Sequence, residues 1–187
     1  MNLSRALVVA SLLAGAGALT ACPALNTTSN VQVPAKGTRI THEIYSQFVP
    51  TPKVGQKWTY AVTAKPPEGE TQKSETSSEV TKIEGDIVTS SFTILIEGQS
   101  EPLTGTATSS LSASTDKDED STWISDGADD VTVPFKAYKG AAKFIETREG
   151  KTIATIWLVP GVGMVKHHSD DPEDGQHTQE LKDFKQP

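Results

Sequence analysis

The chain has 187 residues, and its 24 acidic against 17 basic side chains give a formal charge of -7. Lysines and arginines scattered among acids do not make a phosphate-tracking surface, so no nucleic acid partner is expected. A single cysteine excludes an internal disulfide framework, and the body must be held by packing.

Taken from the N-terminus, Arg5 followed by the apolar run Ala6 to Ala18, which ends in small residues, has the form of a signal peptide over residues 1–21. The run contains Gly15 and Gly17 and falls short of the roughly 20 apolar residues that a spanning helix takes, so a permanent transmembrane helix is disfavoured. Leu19-Thr20-Ala21-Cys22 closes it. These four residues resemble the lipobox of bacterial lipoproteins, in which a small residue precedes the cysteine that receives a diacylglyceryl group before cleavage. The resemblance implies cleavage between Ala21 and Cys22, acylation at Cys22, and a membrane partner held through that N-terminal lipid. One acyl chain anchors marginally at about 0.8 kcal/mol per buried methylene, so two or more chains on one residue are what stable attachment takes. Removing residues 1–21, which carry Arg5 and no acid, takes the formal charge to -8, leaving the lipid rather than the protein surface to hold anionic membrane. Pro23 follows Cys22 in place of the acidic residue that resembles an inner-membrane retention signal, which implies an exported protein on the periplasmic face of an outer membrane or on the cell surface.

Residues 22–37 follow as the lipidated N-terminus and a small, polar, proline-containing stretch read as a flexible tether, and residues 38–187 as a β-rich domain. The sequon Asn26-Thr27-Thr28 is read as chance in a bacterial-looking chain. Ile40, Ile44 and Phe48, spaced by four, predict a short helix with one apolar face, stopped by Val49-Pro50-Thr51-Pro52. Beyond it the pattern is period two. Trp58, Tyr60 and Val62 form one face of a strand, and Ile87 to Ile96 forms the clearest half-buried strand. Leu103 to Leu111 alternates with small inward residues, Gly105 and Ala107, which predicts a close approach or a sharp bend. Val131, Val133 and Phe135 alternate again, and Ala142 to Thr147 pairs with Lys151 to Val159 across Arg148-Glu149-Gly150. Ile156 to Val159 is apolar on both faces and is placed centrally, covered on both sides. Pro160-Gly161-Val162-Gly163 bends the chain, and Gln176 to Lys185 reads equally as a polar edge strand or a short helix.

Two motifs, Gly55-x-x-Trp58-x-Tyr60 and Trp157-x-x-Pro160-Gly161-Val162-Gly163-x-Val165-Lys166, resemble a loose set of uncharacterised bacterial lipoproteins. The likeness implies a mainly β fold: a single antiparallel, strongly curved, half-barrel-like sheet with at most one or two short helices, as in periplasmic lipoprotein carriers and receptors. Read from the residues alone, Trp58, Tyr60 and Trp157 are core anchors.

No catalytic constellation is found. No Gly-x-Ser-x-Gly surrounds a serine, no thiol follows Cys22, and His42-Glu43 lacks a second histidine four residues on, so an enzyme is not expected and no cofactor is implied. Asp116-Lys117-Asp118-Glu119-Asp120-Ser121 has alternating acids like a calcium loop, but Ser121 stands at the turn glycine and Gly127 at the bidentate glutamate, so a solvated loop is expected. In His167-His168-Ser169-Asp170, strand alternation sends the two histidines to opposite faces, and a turn over Pro172 to Gly175 brings His177 near Asp170 or a neighbour. The plain reading is a protective polar edge hairpin; the sharper one is a weak metal-binding surface. The sequence therefore points to a lipid-anchored cell-envelope protein with a non-enzymatic structural or interaction role. The first alternative is a half-barrel that takes a lipid or other apolar ligand on Trp58, Phe92, Ile94 and Trp157; the metal surface is the second.

Overall fold

The computed structural model describes residues 31–111, 121–172 and 174–187. Nine strands, β1 (Lys57–Lys65), β2 (Gln72–Glu84), β3 (Ile87–Ile96), β4 (Leu103–Ser110), β5 (Ser121–Thr132), β6 (Ala137–Arg148), β7 (Lys151–Val159), β8 (Gly163–Asp171) and β9 (Gly175–Lys185), follow helix α1 (His42–Ser46). They form one antiparallel sheet in the order β4-β3-β2-β1-β9-β8-β7-β6-β5, which is not closed. The mainly β, single-sheet expectation holds, and α1 is the only helix among the described residues.

Local rules account for most elements. Thr41 caps α1 by accepting from Ile44 N at 3.3 Å, and the predicted apolar face is present, with Phe48 buried just past the helix and Ile40 and Ile44 packed beside it. The β6–β7 turn has Glu149 at φ 51° and Gly150 at φ 75°, the two left-handed residues that match a two-residue turn to the strand twist. On β4 the small inward residue has a partner: a Cβ on Gly105 would lie 2.5 Å from Cζ of Phe92, whose ring occupies that space from β3.

Two expectations change. β7 is interior, but only Ala154, Ile156 and Leu158 are buried, and the alternate face with Trp157 and Val159 is half-buried. Covering on both sides is therefore observed in part: Ile156 and Leu158 lie in one core cluster, while Trp157 and Val159, half-buried, pack against the cluster of Tyr60, Val131 and Leu181. Gln176 to Lys185 is neither edge nor helix. It is β9, paired with β1 on one side and β8 on the other. Its side chains look like an edge because apolarity reports which face is covered, while lateral position is set by backbone pairing.

The core forms two clusters. Phe48, Ala142, Phe144, Ile156 and Leu158 make one, with Phe48 edge-on to Phe144 at 5.5 Å. The other joins Tyr60, Val62, Val165 and Leu181 to Val131, Val133, Tyr138 and Ala141 of the β5–β6 hairpin. That hairpin reaches across the sheet: Phe135 N donates to Leu181 O at 3.0 Å. The β5 edge is covered by the chain before α1. Gly37 N donates to Ser125 O, Ser125 N to Thr38 O, and Ile40 N to Trp123 O, while Val31 and Val33 pack on the Phe144 cluster. Residues 31–37, read from sequence as part of a tether, are in contact with the body over this stretch.

Candidate functional site

Three places gather the residues that the sequence singled out. The first is where the two motifs meet. Trp58 Nε1 donates to Val162 O at 2.9 Å and Tyr60 Oη to Met164 O at 3.0 Å, so the aromatic pair of β1 ties down the Pro160 to Met164 bend from about a hundred residues away in sequence. Trp58 also lies 5.5 Å from the Phe184 ring, and Gln186 Nε2 donates to Gly161 O at 3.0 Å. Gly163, at φ 89°, leaves room for Pro50, whose Cδ would be 3.3 Å from an added Cβ. Burial pushes the Tyr60 hydroxyl well above its ordinary range, with Tyr45 and Tyr138 adding to the effect, so it acts as a fixed donor. The Gly-x-x-Trp-x-Tyr and Pro-Gly-Val-Gly motifs thus form a structural lock.

The second is the face that Tyr60 and Val62 share. Register carries it across the sheet from Phe144 through Ile156, His167, Gln179 and Val62 to Ser74. A neighbouring row runs from Leu181 through Tyr60, Thr76 and Ile94 to Leu103. His167, Gln179 and Thr76 are buried within these rows. The rings of His167 and His177 lie 5.8 Å apart. Burial, with His177 and His168 nearby, lowers His167 to about 4, and burial followed by His168 lowers His177, so both imidazoles are neutral at pH 7. Asp170 stands opposite Gln176 and His168 opposite Thr178, with His168 Nδ1 3.0 Å from Thr178 Oγ1, while His177 stands opposite Ser169. The hairpin therefore unites His167 with His177 and puts His168 and Asp170 on the other face. Among the described residues no group of three His, Cys, Asp or Glu is placed to hold a metal ion. Two neutral imidazoles alone are half of the usual donor set. The hairpin is also central, not a protective edge. The calcium-like stretch from Asp116 to Asp120 and the anchor residue Cys22 lie outside the described residues.

The third is Trp157. Its register partners are Lys143 and Lys166, whose Nζ atoms sit 5.8 Å and 5.7 Å from the ring, and its Nε1 donates to Asp129 Oδ2 at 3.2 Å. Lys143 and Lys36 both pair with Asp126, at 2.9 Å and 2.6 Å, and the two hydrogen bonds hold that carboxyl below its usual range. Lys166 pairs with Glu180 at 2.8 Å. Trp157 thus stands on the face opposite Ile156 and Leu158. The aromatic set proposed to take an apolar ligand is divided, with Trp58, Phe92 and Ile94 on one face and Trp157 on the other. The lysine cradle was not read from sequence; its only signal was the lysine at every register neighbour of Trp157, which needs the pairing to be seen.

No protein-family description matches the chain, and no curated protein matches it. Two solved structures are similar in outline, each over 74% of this chain and 99% of the other. They are a protein described as exported, with a YmcC-like fold, from Bacteroides fragilis NCTC 9343, at 13% identity and a TM-score of 0.45, and a protein described as a lipoprotein from Parabacteroides distasonis ATCC 8503, at 12% and 0.44. Nothing about function is carried over from either.

Proposed function

We propose that this chain is an exported envelope protein, anchored in a membrane by acyl chains on Cys22, whose β body acts by non-covalent interaction and not by catalysis. The observation that carries the reading is Leu19-Thr20-Ala21-Cys22, which places the only cysteine at the end of the only leader-like apolar run. The absence of an acidic residue after Cys22 supports an outer-membrane or surface location. An interaction role is favoured over an apolar ligand cavity by the way the body is filled: Phe48, Phe144, Leu158, Val165 and Leu181 are all at most 1% exposed, and Trp58 and Tyr60 are engaged in the motif lock. Large aromatics serving as core are the ordinary case, and here each has a named partner.

The test is metabolic labelling with radioactive palmitate, followed by membrane fractionation, of the wild type and Cys22→Ala. The wild type is expected to be labelled and to sediment with membranes until detergent is added. Cys22→Ala is expected to be unlabelled and released. An unlabelled wild type with a free Cys22 thiol overturns the anchor, and a stoichiometric apolar molecule retained by released Cys22→Ala protein overturns the interaction reading in favour of a binding module.

A further inference from the structure

The two edges of the sheet are managed differently. β5 carries two register shifts against β6 and is covered by hydrogen bonds from residues 37–40. Apart from Pro102 at its start, β4 lacks the usual protections. Leu103-Thr104-Gly105-Thr106-Ala107-Thr108-Ser109 holds no charge and no proline, its ladder with β3 runs without a bulge, and among the described residues it pairs with no other strand. Edges of that kind template the addition of another strand, which is why proteins that must stay apart place lysines, prolines or bulges there. Apolar exposure also collects here. Of the four large hydrophobic side chains exposed in the described body, Ile87 (41%), Leu95 (47%) and Leu103 (44%) lie on β3 and β4, and only Val54 lies elsewhere.

We propose that β4 is a self-association edge, on which the β4 strand of a second copy pairs antiparallel about a twofold axis through Thr106. The occupant follows from the strand's own pattern. In this register Thr106 meets Thr106, Thr104 meets Thr108, Gly105 meets Ala107 and Leu103 meets Ser109. Directly opposed residues share a face, so the threonines that line one face of β4 continue as an unbroken hydroxyl row, and threonine pairs across strands are favourable. A shift by one residue would put each copy's threonine face against the other's small-residue face. Charge permits the same partner. Two copies of a chain with a formal charge of -7 repel over most of their surface. Along this strip no like charges are opposed: Glu101 falls opposite Leu111, and Pro102 falls opposite Ser110, where the ladder ends. The pairing is isologous and closes on itself, giving an eighteen-stranded sheet across two copies and using up the edge that the described residues of each leave unpaired.

The test uses the full chain in its native membrane. Thr106→Cys would place the new thiol against its symmetry mate at a cross-strand spacing that suits a disulfide. On mild oxidation it is expected to give a covalent dimer. Thr104→Cys alone is expected not to, whereas mixing Thr104→Cys with Thr108→Cys copies restores the cross-link. Lys139→Cys, on exposed β6, is the control for random collision. Two differently tagged wild-type copies are expected to co-purify, and Thr106→Lys with Thr108→Lys to lower the recovered partner about tenfold or more by opposing like charges, with unchanged thermal melting. Cross-linking of Thr106→Cys no faster than Lys139→Cys, or co-purification that survives both lysines, overturns the proposal; a different protein cross-linked to Thr106→Cys in place of a second copy does so too.

Discussion

His167 sits on the covered face of β8 with Ile156 and Gln179 opposite it on the flanking strands and the His177 ring 5.8 Å away. Burial and the two neighbouring imidazoles lower it from 6.5 to about 4. The unfolded chain takes up this proton near pH 6.5 and the folded chain only near 4, so within that window the unfolded state binds more protons and stability falls as pH falls. Below about 4 the loss is complete. His167→Leu is expected to flatten this part of a melting-temperature profile, removing a pH-dependent term on the order of 3 kcal/mol, while the slope from His177, also lowered by burial, persists. Equal slopes in the two proteins between pH 4.5 and 6.5 would show that His167 titrates normally. At the same scale, Tyr60→Phe and Trp58→Phe each remove a hydrogen bond to the Val162 to Met164 segment, at a cost of about 1 kcal/mol apiece in urea unfolding. Since both act on one bend, the double variant is expected to depart from additivity by about 0.5 kcal/mol or more. Both motifs stand out in the sequence, but not that they touch: local periodicity contains no term for a contact across 104 positions.

The segment from Val31 to Phe48 works as a strap across the β5–β8 half of the sheet. Its backbone blocks the β5 edge, and its apolar side chains close the Phe144 cluster. Phe48 is the pin, 1% exposed and edge-on to Phe144. Phe48→Ala is expected to cost about 3–5 kcal/mol, through lost burial and the cavity left against Phe144. Urea titration would read this as a lower midpoint at an unchanged slope; a loss under 1 kcal/mol would mean the strap is dispensable. The helix in the strap was legible, because three apolar residues at a spacing of four leave one reading. The hairpin over Arg148 to Gly150 was legible for the same local reason, a turn with two left-handed positions between alternating runs. Docking of residues 31–37 was not, since Val31 and Val33 are two isolated apolar residues among polar ones, and only the Phe144 cluster of β6 and β7 gives them something to cover.

At the scale of the whole molecule, β9 is the seam. β1 to β4 form one meander and β5 to β8 another, and the sheet passes from one to the other only through the pairs that β9 makes with β1 and β8. Leu181, fully buried, meets Tyr60 in register and accepts from Phe135 N through its carbonyl. This is the least legible strand in the sequence. Its inward residues His177 and Gln179 are polar, so a pattern-based reading sends it to the periphery, although backbone pairing on both edges satisfies a central strand whatever its side chains are. The position makes folding depend on a long closure, because β1 and β9 must meet before the two meanders share a core, and such closures are slow. Truncation after Pro172 is therefore expected to remove cooperativity from both meanders and not only from its own end. The wild type should show one urea transition by tryptophan fluorescence and by circular dichroism, and the truncated chain none by either probe. A truncated chain that retained a sharp transition would mean that one meander is a folding unit by itself, and that β9 joins two finished halves instead of completing a single core.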